Sequence, residues 1–253
     1  MRLTIVIPVH NEADIVEHTV RRVASFAVLS AFESVNLVLV ENGSSDDSEA
    51  VVKNLNSSKM WPSSLGWICG TTSPAAGIGY AYIRGSQEAF QRGVQSTNDW
   101  ILWSACDTPF GFSDIESFLK VVAIGSPPPI VIGSKGHPQS KLRRGAKRTA
   151  MTLVFRLLRR VLIGMSLRDS QGTFFIRADV ASRLVERPIA RDFFYTTEFC
   201  FHALRENLKP CEVPIVLVPE LRPSTVRSLR DGYKMFLGLV RLRATLRHSR
   251  TRP

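Results

Sequence analysis

Short apolar segments alternate with helix-like segments over the first half of this 253-residue chain. The apolar segments at 3–9, 35–43 and 100–105 have the length of buried strands and are too short for helices. Between them, stretches such as 13–29 and 77–93 carry apolar residues at helical spacing. Strands that alternate with helices predict a mostly parallel sheet covered by helices on both faces. We therefore expect an α/β fold.

Polar and acidic residues follow these strands at the points where they end. His10 and Glu12 follow the first strand, Glu41 and Ser44 follow the core of the second, and Asp107 follows the strand at 100–105. The carboxyl ends of parallel strands meet at one edge of a sheet, and ligands of open α/β sheets bind there. The convergence of these residues predicts a binding site at that edge.

Two of these residues and a Gly-rich segment also have structural alternatives. Asp107 is either a metal ligand, completed by phosphate oxygens of a substrate, or a turn residue before Pro109. Glu12 either binds a ribose or base, or is an acid favoured by the dipole at a helix N-terminus. The Gly-rich segment at 77–93 lacks the full dinucleotide fingerprint, so its glycines either bind a nucleotide or only allow close helix packing.

Charge is divided unevenly along the chain. Residues 1–125 hold 8 Lys and Arg against 13 Asp and Glu, whereas residues 126–253 hold 25 against 9. The basic half indicates a polyanionic partner, or else a solvated basic face. Nucleic acid is the weakest candidate, because no recognised module is present and aromatic residues are not interleaved with the basic run. Four scattered cysteines without a CxxC pair argue against a zinc site and fit a reducing compartment.

The segment at 225–250 is basic and has apolar residues at helical spacing. This pattern predicts an amphipathic helix that lies on a membrane surface or packs on the body of the protein. Its longest apolar run, 235–240, is far below the roughly 20 residues that span a bilayer. We expect no signal peptide, a cytoplasmic protein held peripherally at the inner face of a membrane, and leave a homodimer open.

Six motifs occur in a fixed order: IVIPVHNEADI, LVLVENGSSDDS, GIGYAYIRG, CDTPFGFSDI, IGSK and RDSQGTFFIRADV. Together, over roughly residues 3–240, they resemble the family 2 glycosyltransferases with a GT-A fold. The resemblance is greatest to the polyprenyl-phosphate (dolichyl-phosphate) mannosyl- and glucosyltransferase branch. It implies a Rossmann-like GT-A domain at 1–222, made of a nucleotide-sugar half at 1–125 and an acceptor half at 126–222. A basic amphipathic tail would follow at 223–253.

The resemblance implies inverting transfer of a hexose from GDP-mannose or UDP-glucose to a polyprenyl phosphate at an anionic membrane surface. It also implies Mg²⁺ or Mn²⁺ as cofactor, with Asp107 as metal ligand and Asp169 near the sugar or acceptor. The candidate catalytic residues are Asp107, Asp169 and Glu198. The usual Asp-Ala-Asp of the family is Ala105-Cys106-Asp107 here, so the first acid is missing. The nucleotide-binding residues it implies are Pro8, His10, Glu12, Glu41, Gly43, Ser44 and Gly77. The resemblance places Gln171 near the sugar or acceptor. Basic residues downstream of Asp107 supply further candidates for binding an acceptor phosphate, namely Lys135, Arg143, Arg144 and Arg148.

The chemistry of the acceptor leaves alternatives open. A hydroxyl acceptor needs a general base within hydrogen-bond reach, and Asp169 and Glu198 are the candidates, although Glu198 could equally pair with a nearby Arg. A phosphate monoester is already an anionic nucleophile, and it needs cations such as Arg forks to position it. Transfer to a soluble hydroxyl acceptor, and a degenerate nucleotide-binding relative without catalysis, are therefore the alternative functions.

Overall fold

The computed structural model describes residues 1–57, 63–142, 145–218 and 228–250. The strands are β1 (Arg2–Val9), β2 (Ser34–Glu41), β3 (Ile68–Thr72), β4 (Asp99–Trp103), β5 (Ile130–Gly133), β6 (Thr173–Arg177) and β7 (Cys211–Val213). The helices are α1 (Val16–Leu29), α2 (Ser48–Ser57), α3 (Ile78–Gln91), α4 (Ser113–Ala123), α5 (Ala146–Ile163), α6 (Ala178–Leu184), α7 (Tyr195–Arg205) and α8 (Ser228–Arg250). The predicted alternation of strands and helices is confirmed, and α4 and α6 add to it.

The seven strands form one sheet in the order β3-β2-β1-β4-β6-β5-β7. Neighbouring strands run parallel except at β6, which is antiparallel to both β4 and β5. In the register of the sheet, Val9 lies opposite Glu41, and Glu41 lies opposite Thr72. The carboxyl ends of β1, β2 and β3 are therefore level, which brings the residues that follow these strands to one edge.

Both faces of the sheet are buried, which explains why the strands are continuously apolar. On one face, Trp103 packs edge-on against Phe199 of α7, with ring centroids 4.8 Å apart. On the other face, Phe118 of α4 stacks on Phe175 of β6 at 4.4 Å. Full burial of each such side chain stabilises the fold by about 1.5–3 kcal/mol, so the two apolar layers hold the sheet between the helices.

Helix α8 differs from the single apolar face expected of an amphipathic tail. Leu239 and Leu242 are buried against the body of the protein, and a Cβ on Gly238 would lie 2.5 Å from the ring of Phe194. On the opposite side, Tyr233 and Leu237 are exposed, by 64% and 47%. The helix is thus apolar on two opposite faces, and only one of them packs on the body.

Helix α5 lies beside α8, and the guanidinium of Arg243 on α8 donates to the carbonyl of Leu162 on α5 at 3.1 Å. Within the described ranges, none of the helices combines the length and hydrophobicity needed to cross a bilayer.

Candidate functional site

The loops after β1 and β2 are joined at the edge of the sheet. The ring Nδ1 of His10 donates to the carbonyl oxygen of Asn42 at 2.9 Å. The backbone amide of Asn11 donates to the hydroxyl of Ser44 at 3.1 Å. Since two predicted nucleotide-binding residues, His10 and Ser44, take part in these bonds, the structure brings together what the strand-end rule predicted.

Glu41 closes the turn that follows β2. Its carboxylate is buried and accepts the backbone amide of Ser44 at 2.6 Å. Gly43 in this turn has a φ of +71°, and a Cβ there would lie 2.9 Å from that of Ala76, so only glycine fits. Glu41 therefore has a structural function, and its contact with a nucleotide remains a prediction.

Pro8 and Glu12 lie at the same edge. Pro8 is half-buried near the end of β1, opposite Val40 of β2. The carboxylate of Glu12 accepts the backbone amide of His10 at 3.3 Å, and its own amide donates to the hydroxyl of Ser48 at 2.9 Å. These bonds orient Glu12 in the loop before α1. They are compatible both with binding of a ribose or base and with the role of an acid near a helix N-terminus.

Asn42 is a buried polar residue that sequence analysis did not single out. Its Oδ1 accepts the hydroxyl of Ser73 at 3.1 Å and the backbone amide of Gly77 at 2.9 Å. The amide of Gly79 in turn donates to the carbonyl of Arg191 at 2.9 Å. Because protein acceptors occupy these two amides, the structure supports the packing interpretation of the Gly-rich segment, and binding of a nucleotide by Gly77 remains a prediction.

Asp107 lies on the loop after β4, with its side chain exposed at the sheet edge. Cys106, which replaces the middle residue of the motif, is buried. Burial and then the charge of Glu12 raise the pKa of the Cys106 thiol well above its ordinary value. The thiol is therefore protonated at neutral pH and unsuited to bind a cation.

The donor set fits a hard divalent cation held by a single protein carboxylate. Among the residues that the structure describes, no group of three or more His, Cys, Asp and Glu side chains could enclose a metal by itself. Mg²⁺ typically uses one or two carboxylates and takes its remaining ligands from water and substrate phosphates. Asp107 is a carboxylate of this kind at the sheet edge, and its part as a metal ligand remains a prediction.

Asp169 links two of the predicted acceptor residues. One carboxylate oxygen accepts the backbone amide of Gln171 at 2.8 Å, and the other accepts that of Lys135 at 2.9 Å. The ammonium of Lys135 lies 3.9 Å from the second oxygen and donates to the carbonyl of Gln171 at 2.5 Å. Asp169 is buried, so its carboxylate primarily organises this segment.

Two further residues, which sequence analysis missed, hold the Asp169 segment in place. Glu212 accepts the backbone amides of Arg168 and Asp169 at 2.9 and 2.8 Å. The fully buried Arg159 donates to the carbonyls of Leu167 and Arg168, both at 3.2 Å. The signal for Glu212 was a lone acid within the apolar segment CEVPIV.

Glu198 is buried on α7, and its carboxylate already has two partners. Its Oε2 accepts the backbone amide of Ala190 at 2.8 Å and the guanidinium of Arg241 at 3.1 Å. The alternative in which Glu198 pairs with an Arg is therefore confirmed. His202 lies 4.0 Å from the other oxygen, and burial lowers the pKa of its imidazole.

The remaining predicted acceptor residues cannot be placed beside Lys135. Arg143 and Arg144 lie outside the described residues, and Arg148 lies in α5 with its side chain outside the described part.

Solved structures of glucosyl-3-phosphoglycerate synthase from Mycobacterium tuberculosis share this fold. The complex with Mn²⁺, UDP and glucosyl-3-phosphoglycerate is 15% identical with a TM-score of 0.64, over 96% of this chain and 79% of that chain. The complex with Mn²⁺, UDP-glucose and phosphoglyceric acid is 16% identical with a TM-score of 0.62, over 96% and 79%. The complex with Mg²⁺ and UDP is 16% identical with a TM-score of 0.61, over 94% and 76%.

The fold and the sheet-edge site agree with a family assignment made from the sequence. A comparison with curated protein sequences found no match. The profile of glycosyl transferase family 2 matches residues 4–184, which is more than half of the chain. The chain therefore belongs to glycosyl transferase family 2 and is a glycosyltransferase.

Proposed function

We propose that this glycosyltransferase moves a hexose from a nucleotide-sugar to a polyprenyl phosphate at the cytoplasmic face of an anionic membrane. The observation that carries this proposal is an outward apolar surface on two adjacent helices. This α5–α8 surface consists of exposed residues on both: Leu153, Val154, Leu157, Val161, Tyr233, Phe236, Leu237 and Val240.

The members of the α5–α8 surface recur at helical spacing. On α8, Tyr233, Leu237 and Val240 are separated by four and three residues, which places them on one side of the helix. On α5, Leu157 and Val161 are four residues apart in the same way. Each helix thus displays an apolar stripe toward solvent, in addition to the face with which it packs.

Positive charge accompanies these stripes. Arg160 on α5 is exposed, and so are Lys234 and Arg243 on α8. The sequence of α5 contains no Asp or Glu, and that of α8 contains only Asp231. Helices with an apolar face and basic flanks bind at the interface of anionic membranes, where each nearby Lys or Arg adds about 1 kcal/mol. The charge pattern therefore favours an anionic lipid surface as the occupant.

Helix α8 contacts the predicted acceptor segment through residues outside the α5–α8 surface. The sulfur of Met235 on α8 lies 3.7 Å from the side-chain amide of Gln171, and Arg241 on α8 binds Glu198. The apolar stripe lies on the opposite side of α8, so a membrane bound to it would lie about one helix diameter, roughly 10 Å, from Gln171.

The candidate bases favour an acceptor that needs no deprotonation. Asp169 and Glu198 are both buried, and each accepts at least one backbone amide and faces a cation. A phosphate monoester is already anionic, so it can attack without a general base. Asp107 would hold Mg²⁺ or Mn²⁺, and such an ion, when bound, offsets the charge of the departing nucleoside diphosphate.

Nucleotide binding by calorimetry tests the donor half of the proposal. UDP, GDP and their sugars would be titrated with and without Mn²⁺ into the wild type and Asp107→Ala. We expect one nucleotide to bind tightly and to require both Mn²⁺ and Asp107. Binding of none of them would instead mean that the altered metal motif is inactive and that the chain is a non-catalytic relative.

Vesicle sedimentation tests the acceptor half. We expect binding to vesicles that contain phosphatidylglycerol, but not to pure phosphatidylcholine, and loss of that binding in Leu157→Glu and Leu237→Glu. Removing one partly exposed leucine from the contact and adding a negative charge should weaken binding about tenfold. The matched control is Leu29→Glu on α1, where the leucine is 87% exposed and lies outside the α5–α8 surface.

A transfer assay completes the test. We expect a radiolabelled hexose to pass to a polyprenyl phosphate in anionic vesicles, and the two surface variants to lose this activity together with vesicle binding. If light scattering instead shows a dimer that Leu157→Glu and Leu237→Glu dissociate, and no vesicle binding, then the surface contacts a second copy and the membrane proposal is wrong.

A second candidate function is transfer to a soluble acceptor. It is supported by the complexes of the structurally similar synthase with phosphoglyceric acid. Under this function, phosphoglyceric acid or another soluble acceptor is glycosylated without vesicles, and the α5–α8 surface variants keep full activity.

A further inference from the structure

The loop that carries Asp107 has an unusual backbone. Thr108, Gly111 and Phe112 have φ angles of 43°, 52° and 71°, all in the left-handed region. Side chains such as those of Thr and Phe rarely adopt this region, and a β-branched residue there is an outlier. Such conformations persist only where the surroundings determine them, so the contacts of this loop need an explanation.

Helix α1 supplies contacts on both sides of Asp107. The hydroxyl of Thr19 donates to the carbonyl of Cys106 at 2.5 Å. The guanidinium of Arg22 donates to the hydroxyl of Thr108. Because residues 106 and 108 are the immediate neighbours of Asp107, α1 binds the backbone before the carboxylate and the side chain after it.

A third contact holds the end of the loop. The ring of Phe26 stacks on that of Phe112 with centroids 4.8 Å apart, and the guanidinium of Arg22 lies 5.5 Å from the same ring. Thr19, Arg22 and Phe26 are three and four residues apart, so they share one face of α1. One helix face thus touches the loop at its start, beside Asp107 and at its end.

We infer that Thr19 and Arg22 are positioning residues that hold the Asp107 carboxylate ready for a divalent cation. This inference rests on the proposed function, in which Asp107 is the protein ligand of that cation. A site with a single protein carboxylate has only one protein ligand to contribute to metal affinity. Its affinity therefore depends more strongly on how rigidly that ligand is placed. The α1 contacts would compensate for the missing first acid at Ala105.

The experiment compares Thr19→Val and Arg22→Met with the wild type by two measurements. The first is Mn²⁺ affinity in the presence of UDP, followed by electron paramagnetic resonance. The second is the rate at which iodoacetamide alkylates the buried Cys106, followed by mass spectrometry of its peptide. Arg21→Met is the matched control, since Arg21 is an exposed neighbour on α1, and Arg22→Lys keeps a donor for Thr108.

We expect Thr19→Val and Arg22→Met to weaken Mn²⁺ binding about tenfold. We expect Arg22→Met, which leaves the contact between the Cys106 thiol and the Thr19 hydroxyl in place, to speed alkylation of Cys106. Arg21→Met should match the wild type, and Arg22→Lys should lie near it in both measurements. If both variants bind Mn²⁺ as tightly as the wild type, the inference is wrong, and the proposed function is unaffected. A wild type that binds nucleotide but no Mn²⁺ would refute the proposed metal site itself and the inference with it, whatever the alkylation rates.

Discussion

Replacing Asp169 by Asn separates a structural carboxylate from a catalytic base. Asp169 receives two backbone amides, from Lys135 at 2.9 Å and from Gln171 at 2.8 Å, one on each oxygen. Asn has one acceptor oxygen and one donor group in the same shape. One of the two backbone amides must therefore face an NH₂ group and lose its hydrogen bond.

The size of the effect follows from these contacts. A hydrogen bond to a charged group contributes about 1.5–3 kcal/mol, and one of the two is lost. The ammonium of Lys135, 3.9 Å from Asp169, also loses its counter-ion, which adds less because that ion pair is partly solvated. For a chain of this size, 1 kcal/mol corresponds to about 2–4 °C, so we expect Tm to fall by about 3–12 °C.

Thermal unfolding followed by circular dichroism measures this change. The control is Asp47→Asn, where the side chain is exposed and the expected change in stability stays within about 0.5 kcal/mol. An Asp169→Asn variant that unfolds at the wild-type temperature would refute the structural interpretation. If that variant also lost all transfer to a hydroxyl acceptor, Asp169 would instead be the general base.

Three further predictions concern packing, charge pairing and pH. A Cβ on Gly85 would lie 2.3 Å from a methyl of the β1 strand, so Gly85→Ala should lower the free energy of unfolding in urea by about 1–3 kcal/mol. Arg241→Met leaves the buried carboxylate of Glu198 without its cation, so in a double-mutant cycle its effect should shrink once Glu198→Gln is present. Burial alone would raise the pKa of Asp99, but hydrogen bonds, first from Arg2, lower it below its ordinary value. The ionised Asp99 carboxylate therefore stabilises the fold at a pH above its unfolded-state pKa of about 3.9, and this contribution disappears as the pH falls through the lower folded-state pKa. The wild type should lose stability to urea between about pH 5 and pH 2, and Asp99→Asn should lose less.

The layered α/β fold was predictable because its signals are local. The apolar segments that form β1, β2 and β4 are buried on both faces. Such burial needs a continuous run of apolar residues, and each segment shows that run on its own. The direction of β6 was not predictable in this way. The segment Thr173–Arg177 is equally apolar whichever way it runs, and its antiparallel direction follows from pairing with Trp103 of β4 and with β5.

The location of the candidate site was predictable from the sequence, but the roles of its carboxylates were not. The level ends of parallel strands bring His10, Glu41 and the Asp107 loop to one edge, as the topology requires. The part played by each carboxylate could not be predicted, because it depends on which donors surround it. Glu198 is bound by a guanidinium 43 residues away, and Asp169 by a backbone amide 34 residues away.

Four properties follow from the sequence alone: the α/β class, the order of most strands and helices, the resemblance to family 2 glycosyltransferases and the sheet edge predicted to bind a ligand. These properties depend on hydrophobic periodicity and on short motifs, which a chain carries within single segments. Tertiary contacts were needed to show that Asp169 and Glu198 are engaged by backbone and basic groups, that α1 contacts the loop around Asp107, and that α5 and α8 both expose apolar residues. Each of these depends on contacts between segments far apart in the chain, because a buried carboxylate or an apolar stripe acquires its role from the neighbours that the fold places beside it.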